Sequence, residues 1–173
     1  MLSMKLPSIL FRQERIGKGG RPFSLLKIRT MIPNPNVQFA TPEVYTKWGR
    51  FLRRTKIDEL PQLLNVLKGD LRLVGPRSNV QSYWDVAPEH IKKKILSIKP
   101  GLTSLASIMF HDEEALLQGQ EDKFKNYYTV IAPMKNDLDM FYVDNHDIFL
   151  DAWIIWRTAV ILIKSLINSR DRS

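Results

Sequence analysis

The chain contains no cysteine. That removes disulfides, thiolate metal sites and cysteine nucleophiles, and it suits a reducing compartment. Its histidines are His90, His111 and His146, and their spacing fits no metal-ligand set. His111-Asp112-Glu113-Glu114 reads as a helix start. Gly-x-Gly-x-x-Gly is absent, as is a Walker-type Gly-Lys-Ser/Thr, so a nucleotide must be held by other means. Gly17-Lys18-Gly19-Gly20 is too short to count as a phosphate loop. No uninterrupted apolar run reaches the roughly 18 residues of a membrane-spanning helix. Residues 1–10 show neither a long apolar core nor a small-residue cleavage site, so they do not read as a signal peptide. Internal repeats and low-complexity tracts are missing too. Acidic residues are scarce early on: residues 1–77 hold 5 Asp/Glu against 15 Lys/Arg, and residues 78–173 hold 13 against 11. A basic half of this kind predicts an anionic partner, whether nucleic acid, anionic lipid or a phosphorylated substrate.

What is present fits one domain over residues 1–173, with ordinary apolar and charged content. Two short strands, Ile9 to Ile16 and Pro22 to Thr30, flank the glycine cluster. A loop rich in proline and asparagine covers 32–46, and a helix 47–57. Leu60, Leu63, Leu64 and Leu67 then repeat at helical spacing, with Gly69 just beyond. Pro61 is tolerated only in a first turn, which predicts a helix start near Asp58 or Glu59. Another helix is expected over 88–98, and an apolar strand or buried segment over 102–110. Residues 112–128 read as helix, Pro133 as its end, and Asp137 as the opening of the last section. The final helix, Leu150 to Ile167, is apolar almost all round apart from Arg157 and Lys164. Both a helix lying in a membrane interface and an ordinary core helix fit that pattern. The fold class expected is α+β and predominantly helical. A short N-terminal β-hairpin precedes several amphipathic helices, some lying at the membrane interface.

The chemistry concentrates at Asp58-Glu59. Arg50, Arg53, Arg54 and Lys56 precede the pair, and Arg72 and Arg77 follow it. Two carboxylates at a helix start are also what a cap and a dipole-favouring Glu provide. Cations on both sides point instead to phosphate chemistry. A carboxylate can attack phosphorus or hold a metal while Arg side chains clamp the phosphate oxygens. Lys27 and Arg29 alternate with apolar residues and share one strand face, either as a solvated surface or as a second wall of cations. Gly75-Pro76-Arg77 is a turn, or a rigid mount for an arginine.

Four ordered motifs carry a resemblance. They are Phe11-Arg12-Gln13-x-Arg15-x-Gly17-x-x-Gly20-x-x-Phe23, then Lys27-x-Arg29-Thr30-Met31, then Asp58-Glu59-Leu60-Pro61-Gln62-Leu63-x-Asn65-Val66-Leu67-x-Gly69-Asp70, then Val74-Gly75-Pro76-Arg77. Lys99-Pro100-Gly101-Leu102-Thr103 and Asp139-x-x-Tyr142-x-x-Asn145-x-x-x-x-Leu150-Asp151 follow. Over about residues 9–163 the chain resembles the bacterial sugar transferases, the monotopic polyprenyl-phosphate phosphoglycosyl transferases. The resemblance implies transfer of a sugar-1-phosphate from a nucleotide-diphosphate sugar to polyprenyl phosphate, initiating surface polysaccharide or glycoconjugate synthesis. It implies Asp58 as the nucleophile of a phosphosugar-aspartyl intermediate and Glu59 as the ligand of Mg²⁺. Lys27, Arg29, Arg53 and Arg77 are implied as the cations around the phosphates. It also implies a place at the cytoplasmic face of the bacterial inner membrane, peripheral or monotopic, and leaves homo-oligomerisation open. Family members usually begin with an apolar re-entrant helix, whereas only residues 1–8 precede the region of resemblance here. Peripheral attachment is therefore expected, through the final helix and Lys92 to Lys94. Ser78 and Ile28 stand where the family usually has Pro and Phe. Two alternatives remain: a truncated inactive relative, and a basic nucleic-acid-binding module. The second is disfavoured because the cations surround carboxylates and no nucleic-acid motif appears; nucleic acid is not an expected partner.

Overall fold

Positive backbone φ at Gly19 and Gly20, 68° and 76°, lets the chain turn tightly after its first strand. The computed structural model of the protein describes residues 9–31, 46–111 and 123–170. Strands β1 (Leu10–Ile16) and β2 (Pro22–Ile28) form the expected hairpin, antiparallel, with Arg12 opposite Leu26 and Arg15 opposite Phe23. The fold is α+β and predominantly helical, as the patterning predicts. Of the proline-rich loop read over 32–46, only Thr46 lies among the described residues. Its hydroxyl accepts the Gly49 N–H at 2.8 Å and caps α1 (Lys47–Arg54).

Here the structure departs from the periodicity. One helix was expected from 47 to 57 and a second from Asp58. Instead α1 ends at Arg54, and Lys56 adopts a left-handed conformation with φ 58°. A single 3₁₀ turn, Ile57–Glu59, follows, and α2 (Gln62–Lys68) begins only after Pro61. The leucine repeat is real, but Pro61 sits at the N-cap rather than inside the helix. Asp58 and Glu59 thus belong to the turn before α2, not to its first turn, and a helix of this length offers little dipole to favour their charge. Gly69 ends α2 as expected.

A second, two-stranded parallel ladder joins β3 (Arg72–Val74) to β4 (Gly101–Thr103). Between them lie α3 (Gln81–Val86), which the sequence reading did not separate out, and α4 (Glu89–Ile95). The apolar stretch 102–110 resolves into β4 and the short helix α5 (Leu105–Met109). Backbones cross closely at this ladder: a Cβ placed on Gly101 would lie 2.1 Å from the Gly75 nitrogen. No side chain fits there.

Of the helix read over 112–128, residues 112–122 lie outside the described residues. From Lys123 the chain is continuously helical: α6 (Lys123–Asn126), a π-turn Tyr127–Ile131, and α7 (Ala132–Asn145). Pro133 does not end this run, contrary to expectation. It enters at the start of α7, directly after the π-turn, whose wider winding already breaks the regular ladder that proline would disrupt. The final helix, α8, runs Ile148–Arg170, longer at both ends than predicted. No helix among the described residues is long and apolar enough to cross a membrane.

Two apolar clusters hold these parts together. Ile16, Tyr83, Trp84, Ile95, Leu96 and Ala132 join the hairpin end to α3, α4 and α7. Val74, Leu105, Ile108, Tyr142 and Ile154 join β3 to α5, α7 and α8.

Candidate active site

Local packing decides where each charged side chain points. Asn65 on α2 is fully buried and ties the helix to β2. Its Oδ1 accepts the Leu26 N–H at 3.1 Å, and its Nδ2 donates to the Ser24 carbonyl at 2.8 Å and to Asp70 Oδ2 at 3.1 Å. That tie brings Lys27 across to the 57–59 turn, where its Nζ lies 3.5 Å from Glu59 Oε1. Arg77 reaches the same carboxylate from the other side at 3.7 Å. Its Nη1 also donates to Ser107 Oγ at 3.1 Å, and Ser107 Oγ in turn accepts from Ser104 Oγ at 2.8 Å. The loop carrying Arg77 is stitched to the hairpin by the Ile16 N–H donating to the Asn79 carbonyl at 2.9 Å.

The two carboxylates differ sharply. Asp58 is 4% exposed, and its Oδ1 has no hydrogen-bond partner among the described residues. Burial, and then the neighbouring Glu59 charge, push its pKa above that of an ordinary aspartate, against the pull of Lys27, Arg53 and Lys56. Burial also opposes the Glu59 charge, but Arg77, Lys27 and Lys56 overcome it and hold this carboxyl down at about 2. Lys27 shows the converse: burial lowers it to about 8, with Glu59 resisting and Arg77 and Arg15 adding to the fall. The result is one fixed anion beside one carboxylate of raised proton affinity. The two carboxyls are therefore a split pair, set by burial and by cations rather than by a helix dipole.

Of the residues singled out from the sequence, Asp58, Glu59, Lys27 and Arg77 come together, and Arg53 acts electrostatically on Asp58. Arg29 instead stacks over the Phe11 ring at 5.1 Å, and it is not among the main cations acting on either carboxylate. Arg72 turns away to Asp151 at 3.1 Å, beside the Tyr142 ring. Two further residues belong to the site. Arg15 lies against Lys27 and Arg77 and lines a small open pocket with them. Asp139 on α7 is buried beneath Arg77 and accepts its backbone N–H; burial raises the carboxyl to about 7. Both stood inside motifs read from the sequence, but charge type alone did not say which way they face.

Across residues 1–165 the chain matches the family described as bacterial sugar transferase. It is 40% identical to "Uncharacterized sugar transferase EpsL" of Bacillus subtilis (strain 168), over 87% of this chain and 68% of that protein. It is 36% identical to "UDP-glucose:undecaprenyl-phosphate glucose-1-phosphate transferase" of Caulobacter vibrioides, over 95% of this chain and 59% of that protein. "UDP-N-acetylgalactosamine-undecaprenyl-phosphate N-acetylgalactosaminephosphotransferase" of Aeromonas hydrophila is 31% identical over 87% of this chain, which spans 34% of its length. The chain therefore spans from about a third to about two thirds of the length of these three relatives.

Proposed function

Because the chain belongs to the bacterial sugar transferase family, we propose that it transfers a sugar-1-phosphate from a nucleotide-diphosphate sugar to polyprenyl phosphate. The observation that carries this reading is the split carboxylate pair. Asp58 is buried with one oxygen unpartnered, and Glu59 is held ionised between Lys27 and Arg77.

The reaction proceeds in two displacements. An oxygen of ionised Asp58 attacks the sugar-bearing phosphorus. The bond from that phosphorus to the bridging oxygen breaks, and the nucleoside monophosphate leaves with the electron pair. A phosphosugar-aspartyl intermediate remains. An oxygen of polyprenyl phosphate then attacks the same phosphorus, and the Asp58 carboxylate is released. Burial keeps water from the carboxylate and raises its basicity. Lys27 and Arg77 offset negative charge on the phosphate oxygens without having to reorganise. Glu59 keeps those two cations in place.

Mg²⁺ typically takes one or two carboxylates, with phosphate oxygens and water completing its shell. Asp58 and Glu59 provide adjacent hard oxygens, and Asp58 Oδ1 still lacks a partner. No group of three or more acidic or histidine side chains gathers among the described residues, so substrate phosphate and water must fill the rest of the shell. The residues fit the ion on those terms. Glu59, with Asp58 beside it, would hold the ion, which supplies Lewis-acid neutralisation of phosphate charge when bound.

Attachment to the cytoplasmic face of the inner membrane completes the reading. Trp153, Ile155, Trp156, Ile163, Leu166 and Ile167 of α8 are exposed, as are Trp48 and Phe51 of α1. The two helices meet where Ser165 Oγ donates to the Arg54 carbonyl. Apolar side chains next to Arg50, Arg53 and Arg54 suit a surface of anionic lipid. A role in exopolysaccharide production is supported by the 33% identity to "Exopolysaccharide production protein PSS" of Rhizobium leguminosarum bv. phaseoli. The deciding experiment incubates the protein with a panel of nucleotide sugars, Mg²⁺ and a short polyprenyl phosphate. Release of nucleoside monophosphate that depends on Asp58 is expected; no release with any sugar rejects the reading.

A further inference from the structure

The cations at this site outnumber what the carboxylate pair can neutralise. Arg15, Lys27 and Arg77 converge between the hairpin and the Gly75-Pro76-Arg77 loop, where they line a small open pocket with Gln62 and Ser78. Glu59 occupies one end of this row, against Lys27 and Arg77. Arg15 occupies the other and makes no ion pair among the described residues. Its Nη1 donates to the Ser78 carbonyl at 3.1 Å and its Nη2 to Gln13 Oε1 at 2.8 Å, both neutral acceptors. Its Nε is buried with no acceptor among the described residues. Burial, and next the charge of Arg77, depress the Arg15 guanidinium to about 10. Tyr127 and Glu59 answer part of the guanidinium charge, and the rest, with the Nε donor, has no acceptor among the described residues. Both are answered by an anion with several oxygens.

We propose that Arg15, Lys27 and Arg77 form a cradle for a phosphate monoester, used first by the departing nucleotide phosphate and then by the entering polyprenyl phosphate. This rests on the transfer reading above. Attacking and leaving oxygens lie roughly in line at phosphorus. In the first step Asp58 attacks, and the bridging oxygen departs on the opposite side with its electron pair. In the second, the polyprenyl phosphate oxygen must approach opposite Asp58, from the side the nucleotide vacated. One set of cations on that side therefore serves both phosphates. Lys27 and Arg77 belong to both the carboxylate pair and the pocket, and Arg15 joins them only in the pocket.

The test uses the full chain in detergent micelles with Mg²⁺. Uridine monophosphate and farnesyl monophosphate serve as probes, followed by calorimetry. In the wild type the two are expected to exclude one another. Arg15→Gln should weaken both roughly tenfold or more, as loss of hydrogen bonds to a charged group does, and Arg15→Lys should recover part of the loss. Simultaneous binding of both probes overturns the proposal. So does an Arg15→Gln variant that loses neither probe or only one, or a wild type that binds neither. If melting curves show that Arg15→Gln does not fold, the wild-type competition and Arg15→Lys decide. Nucleoside monophosphate release is measured separately. Release without exclusion removes the shared cradle and leaves the transfer reading. Arg15-dependent exclusion without release keeps the cradle and removes the transfer reading.

Discussion

Asp58 and Glu59 are neighbours in the chain, yet their surroundings pull their acidities apart, and each is open to test. Asp58→Asn keeps the shape and removes the proposed nucleophile. Turnover should fall by on the order of a thousandfold or more, in line with losses of catalytic nucleophiles elsewhere. The melting temperature should hold or rise, because a buried carboxylate with an unpartnered oxygen is removed. Substantial turnover in a preparation free of wild-type enzyme would sink the assignment. The pH profile follows from the same pair. Asp58 must be ionised to attack, so the acid limb should lie above the pKa of an ordinary aspartate. Lys27 must be charged, so activity should fall as pH rises through about 8. Lys27→Arg should lose that alkaline limb, since guanidinium stays charged. Glu59 raises both Asp58 and Lys27, so Glu59→Gln should shift both limbs to lower pH and weaken the Mg²⁺ dependence. Limbs that stay in place would show that Glu59 is not coupled to either. Asp58, Glu59, Lys27 and Arg77 were legible in the sequence because residue type and order carry them. The roles of Arg15 and Asp139 were not, because they depend on burial between elements far apart in the chain.

Elements were legible where apolar spacing was regular, and misread where backbone geometry overrode it. The hairpin, α4 and α8 follow their patterns. The α1–α2 junction does not, because Lys56 and Pro61 end and restart the helix around a 3₁₀ turn that leucine spacing cannot reveal. Pro133 misled in the opposite direction, because a π-turn absorbs it. The continuous helix is what carries Asp139 under Arg77, and its titration gives a test at this scale. Folding raises the Asp139 carboxyl to about 7, so the fold favours its neutral form. That contribution is fully present below the unfolded value near 3.8 and is lost as pH rises through about 7. Asp139→Asn should therefore stabilise the protein more at pH 8 than at pH 5, by several degrees in thermal unfolding. An equal effect at both pH values would show that Asp139 is ionised throughout. For α8, replacing Trp153 and Trp156 by Ala should weaken binding to phosphatidylglycerol vesicles by roughly tenfold or more. Binding should also weaken with salt, since each basic residue near such a surface contributes about 1 kcal/mol that salt screens. Salt-insensitive binding that ignores both tryptophans would place the contact elsewhere.

At the scale of the whole molecule, charge and scaffold are divided along the chain. The charged groups proposed to meet the substrate all lie in the basic stretch ending at Arg77. Support comes from the later, slightly acidic part. The Tyr142 hydroxyl shares its one proton between Asp151 Oδ1 at 2.6 Å and the Val74 carbonyl at 3.1 Å, and Asp151 holds Arg72. The division was visible as a charge asymmetry, but the crossing of Gly75 and Gly101 that locks the two parts together was not, since no pattern announces a close backbone approach. It has a consequence for the order of synthesis. A ribosome delivers every cation and both carboxylates of the proposed site before the residues that underpin Arg77, a delay of several seconds at roughly 5–20 residues per second. In that interval the nascent chain presents a basic surface with nothing beneath it. The site is expected to close only once the helix bearing Asp139 and Tyr142 has emerged. A chain released after residue 111 would carry all the reactive groups and yet assemble no working centre.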